Sequence, residues 1–127
     1  MPPPESPLAT RLRAAGCVFA EEEAALLEDS YEGLELQRAV ARRLAGEPLE
    51  WVLGRVDFAG HRLRLSPGVF IPRARSARLV TAAVGACDVV APVIVDLCCG
   101  CGALGVAVHR ALGGTLFATD LDPRAVA

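Results

Sequence analysis

The most constraining feature is one run: Val93-Ile94-Val95-Asp96-Leu97-Cys98-Cys99-Gly100-Cys101-Gly102-Ala103-Leu104-Gly105. An apolar segment stops at an acid, a glycine-rich turn follows, and Ala103 to Leu112 reads as a helix closed by Gly113-Gly114. Thr115 to Thr119 reads as a second strand, ending at Asp120. A continuous apolar strand without alternation needs both faces buried, as in a parallel sheet. Strand, helix and strand in that order open a doubly wound α/β fold. Asp122 and Pro123 would cap and start another helix. Only four residues follow that proline, too few to hold a helix by themselves.

The preceding chain has a different grain. Ser6 and Pro7 form an N-cap and first-turn pair, Leu8 and Leu12 share a face, and Gly16 ends the turn. A second helix is predicted near Ala20, with Glu21, Glu22 and Glu23 where the helix dipole favours negative charge. A third runs from about Leu34 to Ala45, lined by Leu36, Val40 and Leu44 and closed by Gly46 and Pro48. From Trp51 to Leu65 short β segments are expected, with Val56-Asp57-Phe58 and Leu63-Arg64-Leu65 forming a hairpin about Gly60. Ser66-Pro67-Gly68 then breaks the chain, and Val69-Phe70-Ile71 reads as extended. Ser76 to Ala86 reads as a helix with Leu79, Ala83, Val80 and Val84 inward. The expected organisation is a helical bundle over 1–47, a β-hairpin linker over 48–72, and a partial α/β domain over 73–127.

Composition excludes several classes of function. A chain of 127 residues that is 53% hydrophobic, with net charge −2, has ample material for a core and no basic patch for nucleic acid. All 13 basic residues are Arg, and they are scattered along the chain. The longest apolar run, Leu79 to Val95, is broken by Asp88 and Pro92, so no membrane span is expected. Met1-Pro2-Pro3-Pro4-Glu5 lacks the basic start and apolar stretch of a secretion signal. The five cysteines are odd in number, and three crowd into Cys98-Cys99-Gly100-Cys101, unlike a secreted disulfide scaffold. A cytoplasmic location is the expectation.

The glycine turn carries the chemistry. Gly100-x-Gly102-x-x-Gly105 follows a strand and opens a helix, and glycine lets the backbone turn tightly and a ligand approach its N–H groups. Asp120 stands where a carboxylate can accept both hydroxyls of a ribose. The pattern predicts a nucleoside site. An NAD(P)-type fold places its first glycine straight after the strand, so that the pyrophosphate meets the helix N-terminus. Here Asp96 ends the strand and Leu97, Cys98 and Cys99 precede Gly100. An acid there repels a pyrophosphate and suits the cationic end of S-adenosylmethionine, which favours the methyl donor. The other reading of Asp96 is a simple cap. Cys98 and Cys101 make a C-x-x-C, which can be redox-active, but no third or fourth ligand has zinc spacing. No metal is expected.

Together these segments resemble the release-factor glutamine methyltransferases (HemK/PrmC type). The resemblance is carried by Gly46-Glu47-Pro48-Leu49, Leu53-Gly54-Arg55-Val56-Asp57-Phe58, Pro67-Gly68-Val69-Phe70-Ile71-Pro72-Arg73, the run Asp96 to Gly105, and Ala118-Thr119-Asp120. It implies a small helical bundle, a hairpin linker and an incomplete Rossmann-like methyltransferase domain that uses S-adenosylmethionine. It also implies methyl transfer to a glutamine side-chain amide of a protein, typically a peptide-chain release factor. The implied cofactor-binding residues are Asp96, Cys98, Cys99, Gly100, Cys101, Gly102 and Asp120. The chain departs from the family pattern at Cys98-Cys99-Gly100-Cys101, where Gly-Thr-Gly-Ser is common, and at Ala74-Arg75-Ser76-Ala77, where Pro-Glu-Thr-Glu is common. Its helical region is also shorter than usual. No Asn occurs anywhere, so the Asn-Pro-Pro-Tyr segment that orients the substrate amide is absent. The expectation is a crevice with one wall that binds cofactor weakly and a chain that does not methylate glutamine by itself. The remaining alternatives are an NAD(P)-type domain and a non-enzymatic binding fragment.

Overall fold

The computed structural model describes Met1 and residues 6–127, so the expectation at Pro2 to Glu5 lies outside the described residues. The chain divides into two compact units, Met1–Leu53 and Gly54–Ala127.

The first unit holds α1 (Pro7–Ala14), α2 (Ala20–Ser30), α3 (Gly33–Leu44) and the short α4 (Leu49–Leu53). Ser6 caps α1, its Oγ accepting from the Leu8 N–H at 3.2 Å, and Pro7 occupies the first helical position. Leu8, Leu12, Ala20, Ala24, Leu27, Ala39, Val40 and Val52 form one buried cluster, with Leu36 and Leu44 packed against it. The i, i+4 stripe of α3 therefore meets the core as its spacing predicts. Glu23 and Arg43 join α2 to α3 by a two-pronged ion pair, Nε to Oε2 at 2.7 Å and Nη2 to Oε1 at 3.1 Å. The Tyr31 hydroxyl donates to the Val52 carbonyl at 2.7 Å and so holds α4. Residues 49–53 correct the sequence reading, which began β structure at Trp51. The Val52 N–H instead donates to the Pro48 carbonyl at 3.1 Å, closing a helical turn.

The second unit begins with β1 (Arg55–Phe58) and β2 (His61–Arg64), paired antiparallel with Val56 opposite Leu63 and Asp57 opposite Arg62. Ala59 and Gly60 both have positive φ, 48° and 78°, the requirement of a two-residue turn whose twist matches the strands. A 3₁₀ turn, Ala74–Ser76, leads into α5 (Ala77–Ala86). Then come β3 (Val93–Leu97), α6 (Ala103–Leu112) and β4 (Thr115–Thr119). β3 and β4 pair in parallel from Val93 opposite Thr115 to Leu97 opposite Thr119. This is a strand-helix-strand unit whose helix packs on one face of the pair.

Two expectations are corrected here. Of the four α5 residues expected inward, Val80 and Val84 are partly buried, joined by Ala77, whereas Leu79 and Ala83 are exposed. The strand pair is covered on one face only: Ile94, Asp96 and Leu116 are partly buried, whereas Val93, Val95, Leu97 and Phe117 are exposed. No helix among the described residues is long and apolar enough to cross a membrane.

Candidate functional site at the glycine turn

The turn between β3 and α6 packs three left-handed residues into five positions: Cys98 (φ 58°), Gly100 (φ 56°) and Gly102 (φ 83°). That conformation is free for glycine and costs an L side chain roughly 1–2 kcal/mol, so Cys98 is the strained member. Backbone hydrogen bonds hold the turn. The Gly102 N–H donates to the Cys99 carbonyl at 2.8 Å, and the Cys99 N–H donates to Thr119 at the end of β4 at 2.9 Å.

Each strand carries an acid at its C-terminal end, Asp96 next to last in β3 and Asp120 just past β4, that fastens this turn. Asp120 accepts from the Gly100 N–H at 2.8 Å through Oδ2, and from the Asp122 N–H at 2.9 Å through Oδ1. Those N–H donors, Asp122 first, hold its carboxyl below the usual carboxylate range. Asp96 accepts from the Gly105 N–H at 2.9 Å. Gly102, the N-cap of α6, has no side chain to satisfy the first-turn N–H groups, so the strand supplies the acceptor. Gly105 has room only for hydrogen: a Cβ there would lie 2.7 Å from Asp96 Oδ2 and 3.0 Å from Leu116 Cδ1. The third glycine of the motif is thus a point where α6 lies directly against β3 and β4.

A cavity of about 380 Å³ opens at this turn. Asp96, Cys98, Cys99, Gly100, Cys101 and Asp120 line it together. Gly102 lies outside its lining, at the start of α6. Burial pushes the Cys99 thiol up, reinforced by Asp96 and Asp120, and burial likewise pushes up Cys101. Cys98 is the one exposed thiol of the five, all of which are unpaired. Among the described residues no group of three or more His, Cys, Asp or Glu side chains is arranged to hold a metal ion.

The expected one-walled crevice has a second wall. Phe58 from β1, Phe70, Pro72 and Arg73 from the following segment, Ser76 from the 3₁₀ turn, and Leu104 from α6 face the turn across the cavity, with Leu97 and Ala103 also in its lining. Sequence reasoning set out the run Pro67 to Arg73 as a landmark without assigning it to the site. Its signal was the Phe70-Ile71-Pro72-Arg73 cluster, an aromatic and a cation beside a stiff proline.

No protein-family profile matches the chain. Several curated proteins do. The release factor glutamine methyltransferase of Corynebacterium glutamicum is 44% identical over 90 residues, covering 68% of this chain and 32% of that protein. The protein of the same name from Bifidobacterium longum is 34% identical over 119 residues, covering 87% of this chain and 40% of its own length. The 4-amino-L-phenylalanine/4-methylamino-L-phenylalanine methyltransferase of Streptomyces pristinaespiralis is 38% identical over 77 residues, 56% of this chain and 26% of that protein. The chain therefore spans well under half the length of these relatives. With its landmarks in order and its matches recurring across release factor enzymes, the chain belongs to the release factor glutamine methyltransferase family.

Proposed function

We propose that these residues form the S-adenosylmethionine crevice of a Rossmann-like protein-glutamine methyltransferase, with a release factor as the protein substrate. The observation that carries the reading is the joint position of Asp96, Asp120 and the glycine turn around one cavity. Its volume of about 380 Å³ falls in the range of small-molecule sites, about 300–1,000 Å³. The donor chemistry also fits. A carboxylate has about four lone-pair positions, and Asp120 uses two of them on backbone N–H groups, which leaves capacity for ribose hydroxyls. Asp96 adds negative charge where a cationic ligand end would rest. The bound cofactor supplies an activated methyl group and its thioether leaving group.

In this reading the chain's own work is to bind and orient. Gly100 lets the ligand approach the main chain, Asp120 takes the ribose, and Cys98, Cys99 and Cys101 are packing residues of the loop. The division into 1–47, 48–72 and 73–127 assigns substrate recognition to the helices, a linker that lends Phe58, Phe70 and Pro72 to the crevice, and the partial methyltransferase domain to the rest. An amide nitrogen is a poor nucleophile, and holding it in line with the methyl group can supply several orders of magnitude of rate. These 127 residues contain no Asn to take that role, so we expect no turnover from this chain alone. The match to a methyltransferase named for an aromatic amino acid favours a second reading, in which the same crevice serves a small-molecule acceptor.

Calorimetric titration tests the cofactor assignment. S-adenosylmethionine should bind and NAD should not, and Asp120→Ala should weaken binding by removing the acceptor for the ribose hydroxyls. Binding of NAD with no response to S-adenosylmethionine would overturn the reading.

A further inference from the structure

The two sides of the crevice differ in what they leave unpaired. Asp96 and Asp120 already accept N–H groups of their own chain. Arg73 lines the same cavity, and its guanidinium has no ion-pair or hydrogen-bond partner among the described residues. Its backbone is held in place, since the Ser76 N–H donates to the Arg73 carbonyl at 2.9 Å and closes the 3₁₀ turn. A guanidinium offers five N–H donors in a planar fork and no acceptor, and that fork matches a carboxylate or a phosphate.

The neighbouring acids decide between those anions. Asp96 and Asp120 line the cavity with Arg73, and two carboxylates disfavour a multiply charged phosphate by like-charge repulsion. A single carboxylate carried on the same ligand as a cationic centre satisfies both signs at once. Resting on the cofactor reading above, we propose that Arg73 binds the α-carboxylate at the amino-acid end of the S-adenosyl ligand. It thereby sets the crevice's preference for ligands that keep that carboxylate.

Arg75 provides the internal control, because it belongs to the same 3₁₀ turn, is exposed and does not line the cavity. The experiment is calorimetric titration of the 127-residue chain with S-adenosylhomocysteine and with its decarboxylated counterpart, S-adenosyl-3-thiopropylamine. Wild type, Arg73→Gln and Arg75→Gln are compared. Wild type and Arg75→Gln should prefer the carboxylate ligand by about tenfold or more, as expected for a charge-assisted pair. Arg73→Gln should bind both ligands alike, with the affinity for the amine unchanged, which also shows that the variant is folded. Equal binding by wild type, a preference that survives in Arg73→Gln, or loss of both ligands by Arg73→Gln alone overturns the role of Arg73 and leaves the crevice standing. If neither ligand binds any of the three proteins, the S-adenosyl reading itself fails, and this inference with it.

Discussion

In residues 1–53 the helices close around Leu12, Ala20, Leu27 and Val52, each at most 1% exposed. In residues 54–127 the strand pair keeps Val93, Val95, Leu97 and Phe117 between 56% and 73% exposed. Both regions are rich in apolar residues, but the helices of the first bury far more of theirs than the strand pair of the second does. Helices bury a single stripe, and a few short ones suffice to enclose it. A parallel strand has two faces to cover, and here α6 lies on one of them. Apolar content alone therefore says little about closure. What matters is how many faces each element must hide.

Substitutions of similar chemistry should part widely across that divide. Leu27→Ala opens a cavity in the helical core and should cost about 2–5 kcal/mol, whereas Val95→Ala on the open strand face should cost about 0.5 kcal/mol or less. Urea denaturation followed by circular dichroism measures both. Comparable losses would mean that the strand face is covered after all. Gly105→Ala sharpens the comparison from within the α/β region. Its Cβ would press on Asp96 and Leu116, so α6 must shift, at a cost of about 1–3 kcal/mol. Hydrogen exchange should then rise in α6 and β3 while α1 to α3 keep their protection, and equal loosening of both units would contradict a local clash.

The smallest effect concerns acid. The folded-state pKa of Asp120 lies below its ordinary value of 3.8, so its tie to the loop is fully present above that pH. The tie is lost as pH falls through the lowered value. The Gly100 amide resonance should accordingly stay fixed from neutrality to about pH 4 and move only in stronger acid. A midpoint at or above 3.8 would show that the Gly100 N–H does not stabilise the carboxylate.

The parts of this architecture legible in the sequence are those with local causes. Gly113-Gly114 and the apolar run from Val93 mark the limits of β3, α6 and β4 closely, because glycine conformation and strand burial act over a few residues. Helix α5 is legible, but its expected inward face holds only at Val80 and Val84 and fails at Leu79 and Ala83. Leu79, Val80, Ala82, Ala83 and Val84 are all apolar, so periodicity gives the helix without a sharp phase, and tertiary packing draws in Ala77 and Val80 and leaves Val84 half-buried. Leu49 to Leu53 carries a Trp and a Val that favour strand, yet the turn from Pro48 and the Tyr31 hydrogen bond make it helical. In the candidate site, the glycines and both acids could be picked out by spacing. Phe70, Arg73 and Ser76 could not be placed there, since they reach the cavity through the fold from more than 20 positions upstream of Gly100.

The fastening of the glycine turn has a kinetic consequence. Cys99 is tied to Thr119, Gly100 to Asp120 and Gly105 to Asp96 by hydrogen bonds within the chain itself. A loop secured at three points need not be ordered by its guest, so encounter alone should set the pace of association. The observed binding rate should then climb in proportion to ligand concentration without levelling off, as expected when no slow rearrangement intervenes.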